Sequence, residues 1–264
     1  VTPLTLAVDW SGRRDDAGQR QAIWVAEARA GRLVGLSGGR TRHETIAYLR
    51  ARVAHHPRAV VGLDFCFGLP AWFARQLGCR DGPDVWAVAA DQGERWMDAC
   101  QPPFWGRPGR PRPVVATGER AWRRTEVELS GPHRRLRPKS AFQIGGAGAV
   151  GCGSLRGMPG LTLLRDEGAC VWPFDAPRWP LVVEVYPRAF TGSIVKSDAG
   201  ARAALLDRLY PSLAPDFAEL ARSSEDAFDA AVTALEMSRV ADWPARLPPA
   251  DDLDRLEGRV VVPG

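Results

Sequence analysis

The first seventy residues change their hydrophobic period twice. "LTLAVDW" (4–10) is rich in β-formers and ends in a polar turn. "QAIWVAEARAGRLVGLSGG" (21–39) reads as two short strands joined at Ala30-Gly31, a pair suited to a tight hairpin. In "TRHETIAYLRARVAHH" (41–56), Ile46, Leu49 and Val53 recur at helical spacing, and Thr41 and Glu44 have the spacing of a capping box. "RAVVGLDFCFGLP" (58–70) is almost uninterruptedly apolar, which predicts a central strand buried on both faces.

Beyond Pro70, "AWFARQLG" and "PDVWAVAADQGERWMDA" predict helices. Residues 101–139 hold seven prolines and little periodicity; they read as a long surface excursion, helical in part near 118–129. The stretch 140–168 opens on glycines and predicts a helix from about 148, and "PLVVEVYP" (180–187) is a second buried strand. Helices are expected near 198–209, 212–222 and from 224 to about 241. The tail, 244–264, is proline- and charge-rich with one β-prone run, "RVVV". No internal repeat is present.

These elements predict one α/β domain over 1–264, with a mixed sheet: an antiparallel opening of three strands, then parallel strands, flanked by helices. The link from the third strand to the fourth is long enough for a right-handed crossover that returns the fourth beside the first. That is the strand order of the ribonuclease H-like fold.

With this order Asp9 ends the first strand and Asp64 the fourth. Neighbouring strands lie about 4.8 Å apart, so the two carboxylates would share one edge, within reach of a divalent cation. Glu184, near the end of "LVVEV", approaches the same edge. In "SSEDAFDAAVTALE" (223–236), Asp226 and Asp229 stand one turn apart on an otherwise apolar helix. Acids gathered in this way need a cation to offset their repulsion. Two ions about 3.5–4 Å apart would clamp a phosphodiester, activate water and stabilise the leaving oxygen. Each acid also has a plainer reading. Asp9 suits a turn cap, Glu184 an ion pair with one of many arginines, and Asp226 a helix-capping acid. Asp226, Asp229, Thr233 and Glu236 also fall on one helical line, as a narrow solvated face would.

Composition narrows the class. Hydrophobic content of 45% and charged content of 25% in 264 residues are those of an ordinary globular chain. No apolar run approaches bilayer length, and the opening residues lack a signal-peptide pattern. Five scattered cysteines without a Cys-x-x-Cys pair suggest neither a zinc site nor a disulfide framework, and fit a reducing cytoplasm. Of 35 basic residues only Lys139 and Lys196 are lysines. The formal charge is +4, yet residues 101–139 alone carry +7, leaving the rest at −3. Phe104, Trp105 and Trp122 are interleaved with that charge, the make-up of a surface that attracts phosphates and stacks bases. Nucleic acid is therefore the expected partner, with Ser11, Lys139, Ser140, Arg123 and Arg124 as candidate substrate contacts. "GGAGAVGCG" (145–153) would cradle phosphate at a helix start, or serve close helix packing. His43, His55, His56 and His133 show no ligand spacing.

Taken together, "VDWSG", "GLDFCFGLP", "KSAFQIGGAGAVG", "VVEVYPRAF" and "EDAFDAAVTALE" resemble an uncharacterised family, domain of unknown function 429, usually described as predicted nucleases with a ribonuclease H-like fold. The last helix is similar to that of Holliday-junction resolvases, where Asp-x-x-Asp supplies metal ligands. The resemblance implies Asp9, Asp64, Asp226 and Asp229 as ligands of Mg²⁺ or Mn²⁺, with Glu184 a fifth acid. Cys66 stands where such families often have proline, and Glu44, the nearest match to a first-helix glutamate, is explained by its capping box. The expectation is a two-metal nuclease. Its rivals are a non-catalytic nucleic-acid-binding or scaffold protein, and an enzyme acting on a small nucleotide or phosphorylated substrate.

Overall fold

A computed structural model describes residues 2–114, 120–132 and 136–262. Among the described residues seven strands form a single sheet: β1 (Leu4–Asp9), β2 (Trp24–Arg29), β3 (Arg32–Ser37), β4 (Ala59–Leu63), β5 (Cys170–Val171), β6 (Leu181–Val185) and β7 (Val260–Val261). Their order is β3-β2-β1-β4-β6, and β5 and β7 both pair with β6, at its beginning and its end. β1 to β3 are antiparallel, while β1, β4 and β6 run parallel. The crossover thus returns β4 beside β1, as the link length implies. At the hairpin, Ala30 and Gly31 take φ of 46° and 74°. The glycine bears this left-handed backbone at little cost and the alanine at some.

The helices are α1 (Asp16–Ala22), α2 (Arg42–His55), α3 (Ala71–Gln76), α4 (Gly82–Ala99), α5 (Arg124–Leu129), α6 (Gly151–Asp166), α7 (Arg188–Thr191), α8 (Ala199–Leu209), α9 (Pro215–Ser223), α10 (Glu225–Met237), α11 (Trp243–Arg246) and α12 (Asp252–Glu257). Thr41 caps α2 through the expected box with Glu44. The structure adds elements that the apolar pattern did not announce, among them α1, α7, α11 and β5. α1 buries only Gln19 and is begun by Asp15, whose side chain accepts from Gly18 N. β5 has just two residues, too few for any period. Of the expected helix at 118–129, residues 118 and 119 lie outside the described residues, and α5 fills its second half. His133 also lies outside them. The tail is more ordered than its composition suggested: α12 carries a capping box from Asp251 to Asp254, and the "RVVV" run supplies β7.

Side chains alternate across the sheet with the strand period. Leu4, Leu6, Val8, Val61 and Leu63 enter a core with Leu49 of α2, Trp86 of α4 and Leu161 of α6. Ala7, Val60 and Val183 face the opposite core, with Leu206 of α8 and Phe228 and Leu235 of α10. The result is a helix–sheet–helix sandwich. All five cysteines are free thiols, and no described helix is long and apolar enough to cross a membrane.

α10 lies against β1 and β2, and its alanines (Ala227, Ala230, Ala231 and Ala234, all buried) allow a close approach. Gly62 of β4 does the same from the sheet. A Cβ there would meet Met237 Sδ at 2.7 Å and Val185 Cγ1 at 2.8 Å. Gly62→Val is expected to overpack this contact and lower stability by about 1–3 kcal/mol. Urea denaturation reads the change, and an unaltered midpoint would refute the close packing of α10.

Candidate active site at the sheet edge

Asp9 is the last residue of β1 and Asp64 follows β4 directly, its N–H donating to Val8 O at 3.2 Å. Because the strands are parallel, both carboxylates leave by the same edge. α10 starts beside them. Ser224 caps it, accepting from Asp226 N at 3.1 Å and Ala227 N at 3.3 Å, so Asp226 falls in the first turn and Asp229 in the second. Asp9 is 9% exposed and Asp229 4%; Asp226 and Asp64 are half-buried. The helical line of polar residues is therefore not a solvated face. Thr233 on it is buried as well, and Glu236 accepts from Tyr210 Oη at 2.6 Å.

The four acids feel one another. Burial pushes Asp9 well above the usual carboxylate range, and Asp64, Asp229 and Asp226 push it further. Burial and then Asp229 raise Asp64 to about 8. Burial also raises Asp229 and Asp226; a hydrogen bond with Asp9 partly offsets the rise at Asp226. Among the described residues one cation forms an ion pair with them. Lys196, on the turn between α7 and α8, forms an ion pair with Asp229 Oδ2 and keeps a quarter of its side chain exposed. Burial works against its charge, but Asp229, Asp9 and Asp64 hold the ammonium above the ordinary lysine value. Sequence reasoning passed over Lys196. Its signal was rarity: it is one of two lysines in the chain. Tyr186, whose hydroxyl is also raised by burial and Asp64, gave no such signal.

Glu184 takes a different part. It is buried, accepts from Phe67 N at 2.8 Å and is gripped by both terminal nitrogens of Arg123. Arg123 is itself fully buried, spans Glu126 and Glu184 and donates to Glu257 O at 2.9 Å. Its guanidinium does not reach solvent, so the expected substrate contact is an internal strut. Arg124 is spent on Asp251 and Asp254. Ser140 is buried and donates to Ala121 O. Ser11 is also buried and accepts from Arg13 N at 3.2 Å, fixing the turn after Asp9. Lys139 is the exception among the expected contacts, for it is exposed and shares a small cleft with Asp64, Glu184 and Tyr186.

Two further expectations resolve into packing. Phe104 and Trp105 are 3% and 7% exposed, and Phe104 stacks on Trp96, so these faces are not open to bases. Half-buried Trp122 holds Arg112 over its ring. The glycine run brings α6 against its surroundings: a Cβ on Gly151 would lie 2.4 Å from Ala141 O, and one on Gly157 would lie 2.7 Å from the Phe65 ring.

Four carboxylates offer only oxygen ligands, the donor set that suits Mg²⁺ or Mn²⁺. Asp229 Oδ1 is buried without a hydrogen-bond partner among the described residues, a costly state that a cation would relieve. Among those residues no three acids, histidines or cysteines already stand as a metal cage. Mutual repulsion is reason enough for the carboxylates to stay apart in the absence of an ion. What suits a divalent cation here is the chemistry of the donor set and the unsatisfied Asp229 Oδ1.

No protein-family model, curated protein or solved structure matches the chain.

Two outcomes follow from this charge distribution. Arg123→Met strands Glu126 and Glu184 in the interior and is expected to cost about 3–5 kcal/mol in chemical denaturation; a stability unchanged from wild type would return Arg123 to the surface. The Asp64 carboxyl, ordinarily at 3.8, holds its proton to about 8 in the folded chain. Folded protein thus binds more protons than unfolded protein between these values, and stability must fall as pH rises through that window. Melting temperature in chelator should drop from pH 5 to pH 8, and less so in Asp64→Asn. An equal slope in both proteins would remove Asp64 as the source.

Proposed function

We propose that this chain is a ribonuclease H-like, divalent-metal-dependent phosphodiesterase acting on nucleic acid, related to the family of domain of unknown function 429 that its motifs resemble. One observation carries the reading: Asp9 and Asp64 leave adjacent parallel strands at the same edge, and α10 delivers Asp226 and a buried, half-unsatisfied Asp229 to meet them. Structural acids of a sheet edge are normally paired or solvated. Asp229 departs from this: it is buried, and beyond its ion pair with Lys196 its Oδ1 has no partner among the described residues.

In this reading Asp9, Asp64, Asp226 and Asp229 are the residues that would hold the cation. When bound, a divalent cation supplies Lewis-acid polarisation of a phosphoryl oxygen and a water of lowered pKa. The residues do the rest by position. Asp9 and Asp64, which burial inclines to keep their protons, would hold the cation as carboxylates, their protons passing to solvent. Hydrolysis adds the hydroxyl of one water to phosphorus, breaks the bond to the sugar oxygen and leaves that oxygen protonated. No side chain need become covalently attached. Lys139, in the cleft beside Asp64, is placed to meet a phosphate. Arg107, Arg110, Arg112, Arg120 and Arg137 remain exposed on the same basic segment and supply sequence-independent attraction to the backbone. Binding here rests on charge, since Phe104 and Trp105 are occupied internally.

The test is cleavage of labelled single-stranded, duplex and branched DNA and RNA with Mg²⁺ or Mn²⁺. Activity should require the metal and vanish in Asp64→Asn and Asp9→Asn while the proteins stay folded by circular dichroism. Binding without cleavage in either metal would make the chain a nucleic-acid-binding scaffold. Thermal stabilisation by nucleotides with no affinity for polynucleotide would make it a small-molecule enzyme.

A further inference from the structure

Lys196 is not a loosely held surface lysine. Its turn is closed by Asp198 N donating to Val195 O at 3.1 Å. On one side Arg188 donates to Ile194 O. On the other, the buried Arg202 donates to Lys196 O and, with Nε and Nη2, to Arg222 O at 3.1 and 2.6 Å. Arg202 makes no ion pair with a carboxylate among the described residues. Its charge sits on carbonyls in the last turn of α9, where a helix end favours cations. A buried arginine spent on backbone carbonyls fixes the Lys196 turn against α9, which packs on α10. The ammonium and Asp229 are therefore held by one connected body.

The pairing is also asymmetric. Lys196 engages Asp229 Oδ2, while Oδ1 of the same carboxylate is buried with no partner among the described residues. The ammonium is a compact positive charge set directly on the carboxylate that α10 presents.

We propose that Lys196 is a resident part of the centre, its ammonium supplying to Asp229 the positive charge that a second metal would otherwise supply, so that the acids would take one divalent cation rather than two. The inference rests on the metal-dependent reading above and refines it. Lys196 then acts as a positioning residue for Asp229 and as the fixed positive charge on the α10 side of the phosphate.

Counting bound Mn²⁺ on the full chain, by calorimetric titration and by the spin signal of free Mn²⁺, tests this without reference to cleavage. Wild type should bind one Mn²⁺, and Lys196→Arg, which keeps the charge, should also bind one. Lys196→Met, which keeps length and loses charge, should bind two. Two ions on the wild type would overturn the role of Lys196 and leave the metal-dependent reading intact; this count needs no variant to fold. One ion on a folded Lys196→Met would likewise overturn it, because the vacated place attracts nothing. Failure of wild type and variants alike to bind Mn²⁺ would defeat the metal-dependent reading itself.

Discussion

Two unit charges about 4 Å apart near a protein surface repel by roughly 4 kcal/mol, and this chain brings four carboxylates to one sheet edge. Nothing in strand pairing or core packing asks for them. β1 and β4 would pair as well with neutral residues at their ends, and α10 would pack as closely with alanine at 229. The repulsion is held in place by the apolar body around it: Val8 and Leu63 below, Phe228 and Val232 beside, all almost fully buried. That body fixes the acids' backbones and leaves the side chains to settle by keeping protons or taking a cation. The raised carboxyls of Asp9 and Asp64 and the single contact to Lys196 are the visible form of that settlement.

A second charge cluster lies a few residues away and is solved in the opposite manner. Arg123 fills its site completely, gripping Glu184 and Glu126, and ties β6, α5 and the end of α12 together. Two acids on neighbouring strands, Asp64 and Glu184, thus have different fates. Glu184 has an arginine built for it and an additional backbone donor at Phe67. Asp64 has neither. A closed pair is weak evidence for anything beyond architecture, whereas an open carboxylate at a sheet edge is a place where something can bind.

Much of this was legible in the sequence because the signals were periodic or local. The strands of the central sheet show as apolar runs, the hairpin as Ala30-Gly31 and α2 as its capping box, and the length of the α2 crossover puts β4 beside β1. From that order the meeting of Asp9 and Asp64 follows without any contact being known. Pairing across long sequence separations was less legible. That Arg123 belongs to Glu184, 61 positions on, has no local signature; a basic residue in a proline-rich segment looks the same whether it faces nucleic acid or the interior. The aromatic residues misled for the same reason. Phe104 and Trp105 read as stacking faces because composition reports side-chain type and not orientation.

Lys196 lies between these cases. Nothing in "IVKSD" predicts that its side chain enters an acidic cluster 33 residues before Asp229, yet the residue type carried information. In a chain with 35 basic residues and two lysines, both lysines border the acids, Lys139 beside Asp64 and Lys196 on Asp229. Chemistry gives a reason. A guanidinium is a planar fork that spreads its charge and binds carboxylates in pairs, as Arg123 does with Glu184. An ammonium is a compact, nearly spherical charge on a flexible stem, with three donors and no plane to satisfy. Lys196 accordingly meets a single carboxylate oxygen, Asp229 Oδ2. Where this protein needs a strut it uses arginine, and where it needs a point charge it has kept lysine.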